Sequence, residues 1–184
     1  MSDTPPPGLV SASDGRLADL QRRAVAVAAG GEREILETFL DYLRYAVVRK
    51  IRGVPESDAR HRPLGSATSL AGIAVHLTLV ERNWFHRVLP GRTCEEVGLD
   101  LSDPEATWTV PEDATVDGVL AEYERVCAES RAIAAGYALD ATAVHEELGP
   151  TSLRWILVHM VEETGRHAGH ADILRERIDG VTGE

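Results

Sequence analysis

Residues 152–178 read SLRWILVHMVEETGRHAGHADILRERI. Leu153, Ile156, Leu157, Met160, Ala168, Ala171, Leu174 and Ile178 fall on one face at helical spacing, so the stretch predicts a single long amphipathic helix. Gly149-Pro150 precedes it and Asp179-Gly180 follows, which fixes both ends. Turned at ~100° per residue, His167 lies only about 20° from Met160, and Glu163 about 60° away on the same side. Both polar residues therefore sit in or on the border of the apolar stripe, with His170 beside them and His159 farther round. Glu163 and His167 are four apart, so their side chains meet one above the other.

A helix with such a stripe needs partners, and three more segments qualify. Residues 32–51 carry Ile35, Leu36, Phe39, Leu40, Leu43, Val47 and Ile51 at helical spacing, with acids at the start, bases at the end, and Gly53 and Pro55 beyond. Residues 69–89 follow the cap-rich GSATS and stop before Pro90-Gly91. Residues 115–137 place Val116, Val119, Leu120, Tyr123, Val126, Cys127 and Ile133 inward. No strand signal or internal repeat stands out. Four amphipathic helices that must bury one another's stripes predict an all-α protein, a four-helix bundle. The expected organisation is an N-terminal extension over 1–30, with a disordered proline-rich tail (1–14) and a short helix (15–29), then the bundle over 31–184. The link over 90–114 is long and carries Trp108, and a link of that length without an element of its own often shapes a site or lid.

The second helix repeats the anomaly of the last. Ile73, His76 and Val80 follow i, i+3, i+7, which puts His76 on the buried stripe. A buried carboxylate costs several kcal/mol unless it is paired or ligates a metal. Two imidazoles and one carboxylate from facing helices satisfy one another around a divalent cation, and three protein ligands leave a coordination position open, as catalytic sites do. Plainer readings stand beside this one. His76 also reads as a hydrogen-bonded core histidine, and Glu163 as a partner of Arg166 or Arg154. The spacing is neither HExxH nor the paired ExxH of di-iron bundles.

The chain has 184 residues, enough for one domain with a core that needs no staples. Hydrophobic residues at 43% and charged residues at 27% exclude disorder as the main state. Nineteen Lys+Arg against 30 Asp+Glu give a net charge of -11, which speaks against binding nucleic acid or a membrane surface. Cys94 and Cys127 form neither a CxxC pair nor a disulfide framework, and no signal peptide or membrane span is legible at the start, so a cytoplasmic protein is expected. GxSxG, P-loop and GxGxxG motifs are absent.

Three stretches together, EREILETFLDYLRYAVVRKIRGV (32–54), SLAGIAVHLTLVERNWFHRVL (69–89) and SLRWILVHMVEETGRHAGHADILRERIDG (152–180), resemble the DinB-like four-helix metalloproteins. That superfamily includes mycothiol-dependent maleylpyruvate isomerase and related thiol S-transferases. The resemblance covers about residues 31–183. It implies a divalent metal held by His76, Glu163 and His167. Where many members have histidine at the middle position this chain has Glu163, similar to the His-Glu-His set of the isomerase. Zinc is the first expectation, with nickel, iron or manganese also suited to such ligands. Where many members have Gln, this chain has His170, expected to orient a ligand or move a proton. The isomerase carries a further C-terminal domain that has no counterpart here, so isomerisation is not the expected activity.

The resemblance implies a metal-dependent thiol S-transferase. A low-molecular-weight thiol such as mycothiol would bind through sulfur as a metal-bound thiolate and attack an electrophilic small molecule, with His170 carrying a proton and the 90–114 link covering the site. Asn83, seven residues after His76 on the same face, is the candidate for binding the thiol cosubstrate. A metal hydrolase using His170 or His159 as base, and a non-catalytic metal-binding stress-response bundle, are the alternatives. Homodimerisation through one helix pair suits a bundle of this kind.

Overall fold

The structure is a computed structural model that describes residues 12–64 and 66–182. Residues 1–11 of the expected disordered tail (1–14) lie outside these residues, and 12–14 open a helix. Among the described residues the chain forms α1 (Ala12–Ala26), α2 (Glu32–Ile51), α3 (Glu56–Arg60), α4 (Leu70–Glu81), α5 (Val116–Ala135), β1 (Thr142–His145), β2 (Gly149–Ser152) and α6 (Leu153–Asp179). The protein is mostly helical, as the periodicity predicts.

The helix ends follow from local chemistry. Ser69, Thr115 and Ser152 cap α4, α5 and α6, their hydroxyls accepting from Gly72 N at 3.0 Å, Gly118 N at 3.1 Å and Trp155 N at 3.2 Å. Glu32 and Glu34 stand in the first turn of α2 and Arg49 and Lys50 in its last, each facing the helix-dipole end that favours it. Gly180 closes α6 at φ 76°, a left-handed conformation that favours glycine.

Helix α2 lies along α6, α4 pairs with α5, and α4 also touches α6. Helices α2 and α5 touch sparingly, and α1 lies on α2. Two apolar clusters make the core. One joins Val47, Ile51, Ile73, Leu77, Leu120, Tyr123 and Ala171; the other joins Leu40, Phe85, Leu153, Ile156, Leu157 and Met160. Buried among them, Arg44 of α2 grips Glu81 of α4 with two bonds of 2.7 Å.

Four departures from the sequence expectations have physical causes. Helix α2 is rotated from its expected stripe: Phe39 is exposed, while Arg44, Tyr45 and Val48 are buried. The pair with Glu81 draws Arg44 inward, and α1 covers the flank, its Arg16 guanidinium 4.8 Å from the Tyr45 ring centre. The second helix does not run on as α to Leu89. It widens into a π-helix over Arg82–Val88, where Leu89 N bonds Trp84 O at 3.0 Å. A β-hairpin, unpredicted because its strands have four residues each and one contains Pro150, pairs Thr142 with Ser152 and His145 with Gly149. Finally, α1 begins at Ala12, inside the stretch 1–14 expected to be disordered.

The long link is built of short turns, including single 3-10 turns at Glu95–Val97 and Ala106–Trp108. It folds back on α4, and the Trp108 carbonyl comes so close to Gly72 that a Cβ there would stand 2.8 Å from it. Only glycine admits this approach.

Candidate metal centre and its cleft

Helices α4 and α6 bring His76, Glu163 and His167 together although 87 residues separate the first two. His76 Nε2 stands 3.2 Å and His167 Nε2 3.1 Å from the same atom, Glu163 Oε1. One ligand atom from each residue lies within 4.8 Å of the others, so the three can hold a metal ion. Their side chains are 16%, 12% and 7% exposed, in chain order. Glu163 Oε2 faces Arg166 Nη1 at 3.3 Å, whereas Arg154 pairs with Glu32 and takes no part.

The far ring nitrogens decide whether these residues fit a cation. His76 Nδ1 lies 3.4 Å from Thr107 Oγ1, and that hydroxyl donates to Pro104 O at 2.7 Å. With its proton so committed, Thr107 can accept from His76 Nδ1–H, and in that tautomer His76 Nε2 is left as a bare lone pair. His167 Nδ1 lies 3.3 Å from His170 Nδ1. A proton on His167 Nδ1 satisfies that contact and leaves its Nε2 bare too. Two lone pairs and a carboxylate oxygen then converge with no proton among them, which is the donor set of a divalent cation. The far N–H of each ligand is held by an outer partner, as metal-binding histidines require.

The residues singled out in the sequence are not all in one place. Asn83 lines a cleft of about 120 Å³ together with His76, Glu163, Thr107, His159, Trp84, Leu79, Val80 and Leu101. Asn83 Oδ1 accepts from Arg87 Nε at 2.8 Å, so the group it can offer the cleft is its amide N–H. His170 is exposed behind His167 and does not line the cleft.

Electrostatics sharpen the picture. In their other tautomers, with the proton on Nε2, His167 and then His76 donate to Glu163 and hold its carboxyl far below the usual carboxylate range; a cation would stand in place of those protons. Burial pushes His159 below the ordinary imidazole value, against the opposing pull of Glu163 and Glu162. Burial pushes the Cys127 thiol up, so this cysteine is no ready nucleophile.

The 90–114 link, expected to shape or cover the site, supplies residues whose contacts sequence reasoning did not foresee. Trp108 stacks on His76 with centroids 3.9 Å apart and planes 6° from parallel, and meets His167 edge-on at 5.1 Å. Thr107 and Leu101 come from the same link. Its length was the only signal for them. Beyond Trp84 lie His145, stacked on it at 5.0 Å, and Trp155, which stacks on His159 at 5.2 Å.

A helical bundle with a two-histidine, one-carboxylate constellation at the mouth of a cleft defines a candidate metalloprotein. Over residues 35–180 the chain matches the family model of the mycothiol S-transferases, and it belongs to that family. This bears out the resemblance to the DinB-like superfamily. The chain has no match among curated proteins. Among the described residues no helix is long and apolar enough to cross a membrane.

Proposed function

We propose that the protein is a metal-dependent thiol S-transferase that joins mycothiol, or a thiol like it, to an electrophilic small molecule. The convergence of His76 Nε2 and His167 Nε2 on one Glu163 oxygen carries this reading. Family membership supplies the thiol. A divalent cation held by His76, Glu163 and His167, with zinc first because a two-histidine, one-carboxylate set suits it, would take the thiol sulfur and keep it ionised at neutral pH.

The chain's own residues do the rest. Thr107 and His170 fix the tautomers of His76 and His167. Trp108 covers one face of His76 and keeps water from that side. Asn83 offers its amide N–H to the thiol substrate. His159 lines the cleft and is held neutral by burial, and its Nδ1 faces Glu162 at 4.0 Å. Its Nε2 therefore takes the thiol proton. The sulfur lone pair forms the new S–C bond, and the leaving group departs with the pair of the bond it breaks. We assign His170 to act through His167, since it stands behind that ring.

Elemental mass spectrometry on the wild type, His76→Ala and His167→Ala tests the site, and mycothiol consumption with a reactive alkyl halide tests the reaction. About one metal per chain is expected, lost in both variants along with transfer activity. Metal-loaded protein that forms no adduct with mycothiol, bacillithiol or glutathione would overturn the reading.

A further inference from the structure

We infer that the seam between α2 and α5 is a second binding site, built for a medium-chain alkanoate: one carboxylate on an unbranched alkyl body. The inference does not rest on the S-transferase reading, since none of His76, Glu163 and His167 lines the seam. Helices α2 and α5 touch sparingly, and α5 lines the gap with the small side chains Ser130, Ala134 and Ala135 beside Arg131. The space left is a cavity of about 550 Å³, the size of a small-molecule site. A neighbouring cavity of about 380 Å³ lies against α1.

Arg23, Asp41, Arg44 and Arg131 line both cavities, so the two adjoin there. At this neck three guanidiniums meet two carboxylates. Asp41 Oδ1 accepts from Arg44 Nη1 at 3.0 Å and from Arg131 Nη1 at 3.2 Å, and Glu81 takes the other two nitrogens of Arg44. Arg23 has no carboxylate partner among the described residues. The further acids of the cavity against α1 are engaged elsewhere, Asp19 by Arg22 and Glu124 by Arg52. One positive charge is thus left over at the neck, in a chain of net charge -11. A ligand carboxylate between Arg23 and Arg131 completes the set.

The larger cavity leads from the neck over buried Leu40, Phe85, Ala134 and Leu157. Its length follows from helix register. Glu32 pairs with Arg154, 122 positions away, and Lys50 pairs with Asp172 at the same offset, so Leu157 stands level with Ile35. Asp41 and Arg44 lie six and nine residues farther along α2, a rise of about 9–14 Å. An extended chain of about eight carbons covers that span. Ser130 Oγ, on the wall, is already partnered by His86 Nε2 at 3.3 Å. At the far end Arg33 is committed to Glu37 and to the carbonyls of Ala134 and Tyr137. Glu34 stands there with no cationic partner among the described residues. It repels a second acidic group, so the ligand is a monoanion.

Calorimetric titration of the zinc-loaded wild type with octanoate tests the site. One octanoate per chain is expected. Hexanoate, two methylenes shorter, should bind about 15-fold more weakly, and octyltrimethylammonium should not compete. Arg23→Gln and Arg131→Gln should each weaken octanoate about 3- to 10-fold, and Arg23→Lys should restore part of the loss. Arg22→Gln removes the same charge one position away, and Arg22 lines neither cavity, so its affinity should match the wild type. No binding to wild type, equal losses in Arg22→Gln and Arg23→Gln, or equal binding of octyltrimethylammonium would overturn the site. A carboxylate is also drawn to a bound metal, so the titration is repeated after chelation. Unchanged affinity is expected, and affinity that vanishes with the metal would place octanoate at the triad and overturn the seam.

Discussion

At the scale of single residues, each ring nitrogen in the triad has its own task. His170 donates nothing to the cleft, yet its Nδ1 accepts the proton that sets the His167 tautomer. His170→Ala should therefore weaken metal binding about 10–100-fold without changing the number of sites, the usual cost of losing such an outer partner; chelator competition reads this directly. Glu163→Gln keeps the shape and removes the charge. It should release the metal in the same assay, and unchanged affinity would remove Glu163 from the ligand set.

Two other histidines make the fold sensitive to acid. Burial holds His86 and His159 below the ordinary imidazole value. In the unfolded chain both take up a proton near pH ~6.5, whereas in the fold they resist until lower pH. The stability that goes with the neutral forms is complete above the unfolded value and is lost as pH falls below it. The urea midpoint should drop between pH 7.5 and 5.5, and His86→Gln, away from the triad, should flatten part of that drop. The transfer rate should also fall on the acid side as His159 becomes charged, and His159→Gln should abolish that limb.

At the scale of elements, the α6 half of the site is the part most legible in the sequence. Glu163 and His167 stand four apart on a helix whose apolar stripe is unambiguous, so their meeting follows from helical geometry alone. His76 was legible for the same reason on α4. The contacts of Thr107 and Trp108 with His76 were not, because the two stand on a link with no periodicity to read, Thr107 31 positions along the chain from His76. Nor was the π-helix, since its wider turn leaves the apolar spacing of Trp84, Phe85 and Val88 compatible with an ordinary helix. Phe39 misled for a different reason: a stripe drawn from hydrophobicity has no way to count a buried arginine. Gly72 is where α4 and the link depend on one another. Gly72→Ala would push the Trp108 carbonyl away, at about 1–3 kcal/mol of overpacking, and should loosen the stack on His76. Lower thermal stability together with weaker metal retention is the expected pair of results.

At the scale of the whole molecule, an ion pair inside the core pins the bundle. Arg44 and Glu81 are almost wholly buried, and each satisfies the other with two short bonds. Removing the arginine leaves the buried Glu81 carboxylate without its counter-charge, so Arg44→Leu alone should cost about 3–5 kcal/mol, and Glu81→Leu should cost less because Asp41 Oδ1 stays 3.0 Å from Arg44 Nη1. Replacing both by apolar residues of similar size should recover most of that loss. Chemical denaturation of the single variants and the double variant distinguishes the two outcomes. The pair ties α2 to the end of α4 where the π-helix begins, and hence to the segment that carries Asn83 and Trp84.

The wide separation of the triad along the chain has a consequence in time. A ribosome delivers His76 long before Glu163 and His167, which stand on α6. Until α6 docks, the nascent chain holds one of the three donors and no pocket to concentrate them. On the metal-dependent reading proposed above, ion capture waits for α6 to dock, and a product truncated before α6 is left unloaded.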